Sequence, residues 1–184
     1  MRKYNSAFTL IEIIMVMVVV SIMATIIPRW LITKEPVTEL NTVLNEFNDL
    51  LYYARQEAIA TQKNYRLTFK SNITEPDFVL VEQEEKYPED SSKKVYEQVF
   101  SSYFQTKYTL PYNIRMQALY HGKQNEFEQN KDYAYCYIIP NGLVQPIIIH
   151  IINKKDDQED KVTFKIAPFL GKFELVENFV RLEK

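Results

Sequence analysis

With 184 residues, 46 % of them hydrophobic, the chain has room for one membrane helix and one modest domain. Its 22 basic and 24 acidic residues leave a formal charge of −2, so there is no basic excess for holding a polyanion, and the single cysteine, Cys136, excludes an intrachain disulfide. The three glycines, in His121-Gly122, Asn141-Gly142 and Leu170-Gly171, are too scattered for a phosphate-cradling loop; each separates strand-like runs and predicts a turn.

The chain opens with two cations, Arg2 and Lys3. Ser6-Ala7-Phe8-Thr9-Leu10-Ile11-Glu12 follows and leads straight into an apolar run that ends at Ile27. From Phe8 to Ile27 twenty residues carry one charge, Glu12. A helix of that length rises about 30 Å, enough to cross a bilayer core. A carboxylate inside such a span costs on the order of 2–4 kcal/mol near the centre and less near an end, so Glu12 needs a partner. The leader cations place the N-terminus in the cytoplasm and the rest across the membrane. A secretory signal peptide has a shorter apolar region and a small-x-small site, which Ile22 and Ala24 spoil; a lipoprotein signal needs a cysteine at its end. A plain single-span anchor explains the hydrophobicity and leaves Glu12 without a reason.

Pro28 closes the apolar run, as a kink or as an end, and Pro36 suits the first turn of a new helical segment. Leu40, Leu44, Phe47, Leu51, Ala54 and Ala58 then recur at spacings of four, three, four, three and four, an apolar stripe on an amphipathic helix. The opposite face carries Glu39, Asn41, Glu46, Asn48, Arg55 and Gln56. The pattern is too short for an isolated zipper, so the stripe is expected against a sheet. From Tyr65 the period becomes two: Tyr65, Leu67 and Phe69 alternate with Arg66, Thr68 and Lys70. Further strands are expected over 78–82, 114–120, 133–139, 147–152, 162–167 and 173–176, all rich in aromatic and β-branched residues. Val95, Tyr96, Val99, Phe100, Tyr103 and Phe104 have helical spacing, with a strand as the alternative. The charged stretches 82–92 and 153–161 read as solvated loops.

The N-terminal residues resemble the class III signal of type IV pilin-like proteins. Arg2 and Lys3 fit its basic leader, Ala7 the small residue before the cut (usually glycine in the family), Phe8 the new N-terminus and Glu12 the glutamate five residues into the mature chain. Leu40-Asn-Thr-Val-Leu44 through Leu51-Tyr-Tyr-Ala54-Arg55-Gln-Glu57-Ala58-Ile59 is similar to the helix of the minor pseudopilin H family of type II secretion, shared with FimT-type minor pilins. Leu110-Pro111 and Ile139-Pro140-Asn141-Gly142, each before a strand, are similar to that family's sheet domain. The resemblance implies an α+β fold, a long N-terminal helix packed on an antiparallel β-sheet domain: residues 1–7 a leader, 8–28 a transmembrane helix, 29–62 an amphipathic helix and 63–184 a periplasmic domain. It implies cleavage between Ala7 and Phe8 by the membrane-embedded prepilin peptidase, N-methylation of Phe8, and assembly through Glu12. The chain would be a single-pass inner-membrane protein and a subunit of a type II secretion pseudopilus at or near its tip. Other pseudopilins, the inner-membrane assembly platform and inner-membrane lipid would be its partners. The alternative is a FimT-like minor pilin of a type IV pilus, with a role in DNA uptake.

Other chemistry finds little support in the residues. Two histidines, His121 and His150, and one cysteine are too few for an ordinary zinc site, and G-x-S-x-G and H-E-x-x-H are absent. Cys136 sits in a strand-like run and reads as a small buried hydrophobe, and His150 as a strand residue with a satisfied polar tip. No catalytic residue, cofactor or metal is expected. Asp156, Asp157, Glu159 and Asp160 invite comparison with the calcium sites of major pseudopilins. They lack the central glycine and distal glutamate of an EF-hand loop and are interrupted by basic residues, so a solvated hairpin tip is expected. Lys172, Arg181 and Lys184 are offset by Glu174, Glu177 and Glu183, so nucleic acid is not an expected partner.

Overall fold

The computed structural model describes the backbone of residues 10–31, 37–72, 74–86, 94–129, 132–155, 158–167 and 171–179; within these, the side chains of 22–31, 37, 38, 86, 94, 158 and 167 are not described. The N-terminal unit, residues 1–38, contains helix α1 (Leu10–Leu31), which runs through Pro28 instead of ending there. The second unit, residues 39–184, contains most of helix α2 (Val37–Thr61) and all the strands. Pro36 lies outside the described residues.

Strands β1 (Tyr65–Lys70), β2 (Phe78–Lys86), β3 (Lys94–Gln98), β4 (Lys107–Thr109) and β7 (Tyr133–Ile138) form one antiparallel sheet in the order β3-β2-β1-β7, with β4 also on β2. Strands β5 (Ile114–His121), β6 (Gln124–Asn125), β8 (Ile148–Lys155), β9 (Gln158–Ala167) and β10 (Lys172–Glu177) form a second, in the order β10-β9-β8-β5-β6. A single turn of helix, α3 (Glu126–Gln129), follows β6. The fold is thus α+β, an N-terminal helix followed by an antiparallel β domain, as expected, with the strands divided between two sheets.

The stripe on α2 joins those sheets. Leu40, Val43, Phe47, Leu50, Leu51, Ala54 and Ala58 are buried. The Phe47 ring meets Phe69 of β1 at 5.9 Å and Tyr108 of β4 at 6.4 Å on one side, and Phe164 of β9 at 5.7 Å and Phe173 of β10 at 5.6 Å on the other. Offset and edge-on ring pairs at these separations add to the stabilisation from area alone.

Two polar clusters also tie the sheets together. Asp77, fully buried just before β2, accepts hydrogen bonds from Asn72 N (3.1 Å), Arg115 Nη1 (2.9 Å) and Met116 N (2.6 Å). Met116 borders a bulge in β5, between Met116 and Ala118, and Ser71 Oγ donates to its carbonyl at 3.0 Å. Burial pushes the Asp77 carboxyl up, and these backbone and Arg115 bonds oppose the rise. Gln145 does similar work at the end of β7: its N donates to Tyr137 O (2.9 Å), its Oε1 accepts from Tyr137 N (3.2 Å) and its Nε2 meets His121 Nδ1 (2.8 Å).

Three expectations change. β2 continues to Lys86, because Arg66 and Thr68 both bond the Glu82 carboxylate, each at 2.5 Å, so the first part of 82–92 is strand. β8 and β9 reach Lys155 and Gln158, because Asn153 turns inward to bond Asn113 (2.9 Å) and Lys154 pairs with Glu159 (3.1 Å). Asp156 and Asp157 lie outside the described residues. The helical spacing from Val95 is not a helix: β3 pairs with β2 through Gln98, and the chain beyond it is a loop.

Candidate functional site: the N-terminal helix and its lone carboxylate

Among residues 10–21 of α1, Glu12 and Ser21 are the polar members. Every residue from 10 to 21 is exposed, from 52 % at Ile13 and Val18 to 79 % at Leu10 among the large hydrophobic ones. Ser21 Oγ donates to Met17 O, one turn back, at 2.7 Å, so its hydroxyl is spent within the helix. Glu12 is the third residue of the described part of the helix. A helix that is apolar all round belongs in a hydrophobic surrounding. Glu12 is therefore the single charged group this segment brings there.

Among the described residues no helix is long and apolar enough to cross a membrane. The described side chains of α1 stop at Ser21, and residues 10–21 rise only about 18 Å; the sequence itself carries the apolar run to Ile27. The expected cleavage pair, Ala7 and Phe8, lies outside the described residues.

The chemistry-bearing residues of the β domain stay apart. Cys136 is fully buried in β7, its Sγ donating to Gln145 O at 3.4 Å, and burial raises its thiol far above the ordinary range. His150 is buried in β8, with the Phe179 ring stacked on it at 4.2 Å and the Tyr120 ring edge-on at 5.0 Å. A depression of about 430 Å³ at the α2–β1 turn is lined by Gln62, Lys63, Asn64, Glu84 and Glu85, with neither a nucleophile nor a histidine among them. Among the described residues no group of three or more His, Cys, Asp or Glu is placed to hold a metal ion.

Two residues that the periodicity put on the solvent face of α2 are engaged with the β domain. Asn48 Oδ1 accepts from Phe173 N at 2.6 Å, and its Nδ2 donates to Phe173 O at 3.2 Å. Arg55 lies against two glycine turns, and its buried Nε has no hydrogen-bond partner. Large exposed aromatics also went unread: Phe100 is 85 % and Tyr103 98 % exposed in the loop after β3, where Phe104 stacks on Tyr53 of α2 at 4.8 Å. The helical spacing of 95–104 hid that loop, because spacing alone does not separate a buried stripe from an exposed one.

Residues 2–28 match the family model described as the prokaryotic N-terminal methylation motif. No curated protein matches the chain. Among solved structures, the chain is similar to the minor pseudopilin EpsH from the Type 2 Secretion System of Vibrio cholerae, at TM-score 0.48 and 15 % identity over 76 % of this chain and 97 % of that one. A crystal structure of the same pseudopilin gives TM-score 0.47 and 13 % identity over 77 % and 95 %. The chain thus carries the prokaryotic N-terminal methylation motif over residues 2–28.

Proposed function

We propose that this chain is a membrane-anchored structural subunit, a minor pseudopilin of a type II secretion machine that assembles at or near the tip of a short filament and has no catalytic role. The observation that carries the reading is Glu12, one carboxylate in an otherwise apolar and exposed helix, inside a matched methylation motif. The similarity of residues 40–59 to the minor pseudopilin H helix supports the secretion assignment. Residues 1–7 would be the leader, 8–28 the transmembrane helix, 29–62 the amphipathic helix and 63–184 the periplasmic domain.

Prepilin peptidase would cut after Ala7 and free the α-amine of Phe8, which is protonated near neutral pH because its reference pKa is about 7.7–8.0. Methylation to a secondary amine keeps that charge. Glu12 lies one turn further on, about 6 Å along the axis, so a subunit displaced by that amount would set its amine beside a neighbour's Glu12. In a low-dielectric setting that pair is strongly favoured over either charge alone. Mass spectrometry of protein extracted from native membranes tests the processing step. A mature chain beginning at methylated Phe8 is expected. Recovery of only the full-length chain, or of a cut beyond Ala24, would overturn the reading.

A further inference from the structure

The Arg55 guanidinium lies where turns from the two sheets meet. A Cβ on Gly142, in the turn after β7, would stand 3.3 Å from Arg55 Nε, and one on Gly171, in the turn into β10, 2.7 Å from its Nη1. Both glycines have positive φ, and the side chains they lack leave the space that Arg55 occupies. Its Nε is buried without a hydrogen-bond partner, and among the described residues no carboxylate forms an ion pair with it. Arg66 and Arg115, the other arginines with described side chains, hold Glu82 and Asp77. A guanidinium taken out of water without an acceptor is costly. The β domain thus keeps a donor at its surface for which its described residues supply no acceptor.

The surface around this cation is apolar. Tyr52, Arg55 and Ile59 share one side of α2 at spacings of three and four. Ile59 lies against Gly142, where a Cβ would stand 2.8 Å from its Cδ1. Ile139 and Leu143 belong to the same turn: Gly142 N donates to Ile139 O at 2.8 Å, and Ile139 N to Leu143 O at 3.1 Å. Tyr52, Ile59, Ile139 and Leu143 are all exposed, from 42 % at Ile59 and Ile139 to 62 % at Tyr52. A desolvated arginine among aromatic and aliphatic side chains is the composition of an interface centre. The exposed Phe100 and Tyr103 carry no such mark, because residues 99–106 have no charge to select a partner.

We propose that Arg55 receives a carboxylate from a different subunit of the same assembly, an aspartate or glutamate side chain set among apolar residues that cover Tyr52, Ile59, Ile139 and Leu143. This rests on the reading of the chain as an assembly subunit. Charge complementarity selects the occupant: a guanidinium takes a carboxylate through two parallel N–H···O bonds, and more strongly where water is excluded. The apolar rim favours an acid carried on a protein surface over a free anion, which keeps its own water. A second copy laid face to face on the same patch would bring Arg55 toward Arg55, with no acid among the patch residues to meet either.

Three variants test the site. Arg55→Met keeps the apolar stem and removes the charge, and Arg55→Lys keeps the charge and loses the fork. Leu143→Asp, at an exposed position beside Gly142, supplies an acid from within and repels the partner's. The full-length chain would be purified in detergent from cells that express its native partners, the co-purifying subunits quantified, and their contacts mapped from a photoreactive residue at position 52. Expected are melting at or above wild type for Arg55→Met and Leu143→Asp, with a loss of partner recovery of about tenfold in each. Arg55→Lys should lose less, and crosslinks from position 52 should reach a partner segment that contains Asp or Glu. Undiminished recovery with Arg55→Met, or crosslinks only to segments without an acid, would overturn the carboxylate while leaving the assembly reading standing. Lower melting of Arg55→Met, with partner recovery unchanged per folded molecule, would overturn it in favour of a structural role. Millimolar acetate that raises the melting of the purified wild type, and not of Arg55→Met, would overturn it in favour of a free anion. Crosslinks between two copies of this chain would overturn the choice of a different subunit. A wild type that brings no partner would overturn the assembly reading and this inference with it.

Discussion

Gly142 and Gly171 hold φ of 80° and 58°, and a Cβ at Gly171 would stand 2.7 Å from Arg55 Nη1. Gly122 has a similar φ, 63°, with nothing within 4 Å of such a Cβ. Gly122→Ala should therefore lose only the left-handed strain, about 1–2 kcal/mol, in urea unfolding, and Gly171→Ala slightly more, because its Cβ meets the flexible end of the Arg55 side chain, which can shift. Adding Arg55→Ala to Gly171→Ala should recover the excess, which a double-mutant cycle would read as coupling. The turns were legible as glycines between strands; the guanidinium lying against two of them was not, because residue spacing carries no information about which loop meets a helix. The thiol at Cys136 gives a second expectation. Buried and held protonated, it should react with a disulfide reagent only at the rate of unfolding, and reductant should not move the melting curve. Rapid labelling of the native domain would contradict that burial.

On the outer face of the β3-β2-β1-β7 sheet, elements are joined by charge and aromatic contact. The Arg66 guanidinium lies 4.1 Å from the Tyr96 ring centroid of β3 and 4.2 Å from that of Tyr135 of β7. Burial first, then the Glu84 charge, pushes the Tyr96 hydroxyl up to about 12. An unfolded tyrosine ionises near 10. Between those values the unfolded chain releases a proton that the folded one keeps. The stabilisation is thus fully present below about pH 10 and is lost as pH rises through about 12. Alkaline unfolding of Tyr96→Phe should lack that part of the slope, measured against wild type by circular dichroism. For β3 the sequence left helical spacing and a strand side by side; its antiparallel pairing with β2 decides for the strand. The α2 stripe was legible because burial on one face imposes the period directly. Asn48 was not, because its amide serves as a strand partner, a role that polarity alone sorts to the solvent side.

The whole molecule divides into a helix that exposes apolar surface all round and a domain that buries its own. That division was legible in the sequence, since a run with one charge in twenty residues and a later change of period from helix to strand are both written in composition. The separation into two sheets was not, because strand order depends on which hydrophobic faces meet across Phe47. Phe47→Ala should cost about 3–5 kcal/mol in urea unfolding, as expected for removal of a ring shared by both sheets. The two units should answer mutation independently, and Glu12 lets that be tested. Glu12→Leu removes a charge from an apolar helix, so insertion should be at least as good as wild type and the melting of the β domain unchanged. If the carboxylate pairs with a neighbour's amine, the same variant should fail to crosslink to partner subunits at equal membrane levels. Glu12→Asp should fall between, because it keeps the charge on a shorter arm. A plain anchor predicts a neutral or improved Leu variant in every assay. Unchanged crosslinking in Glu12→Leu would leave the carboxylate with no part in assembly.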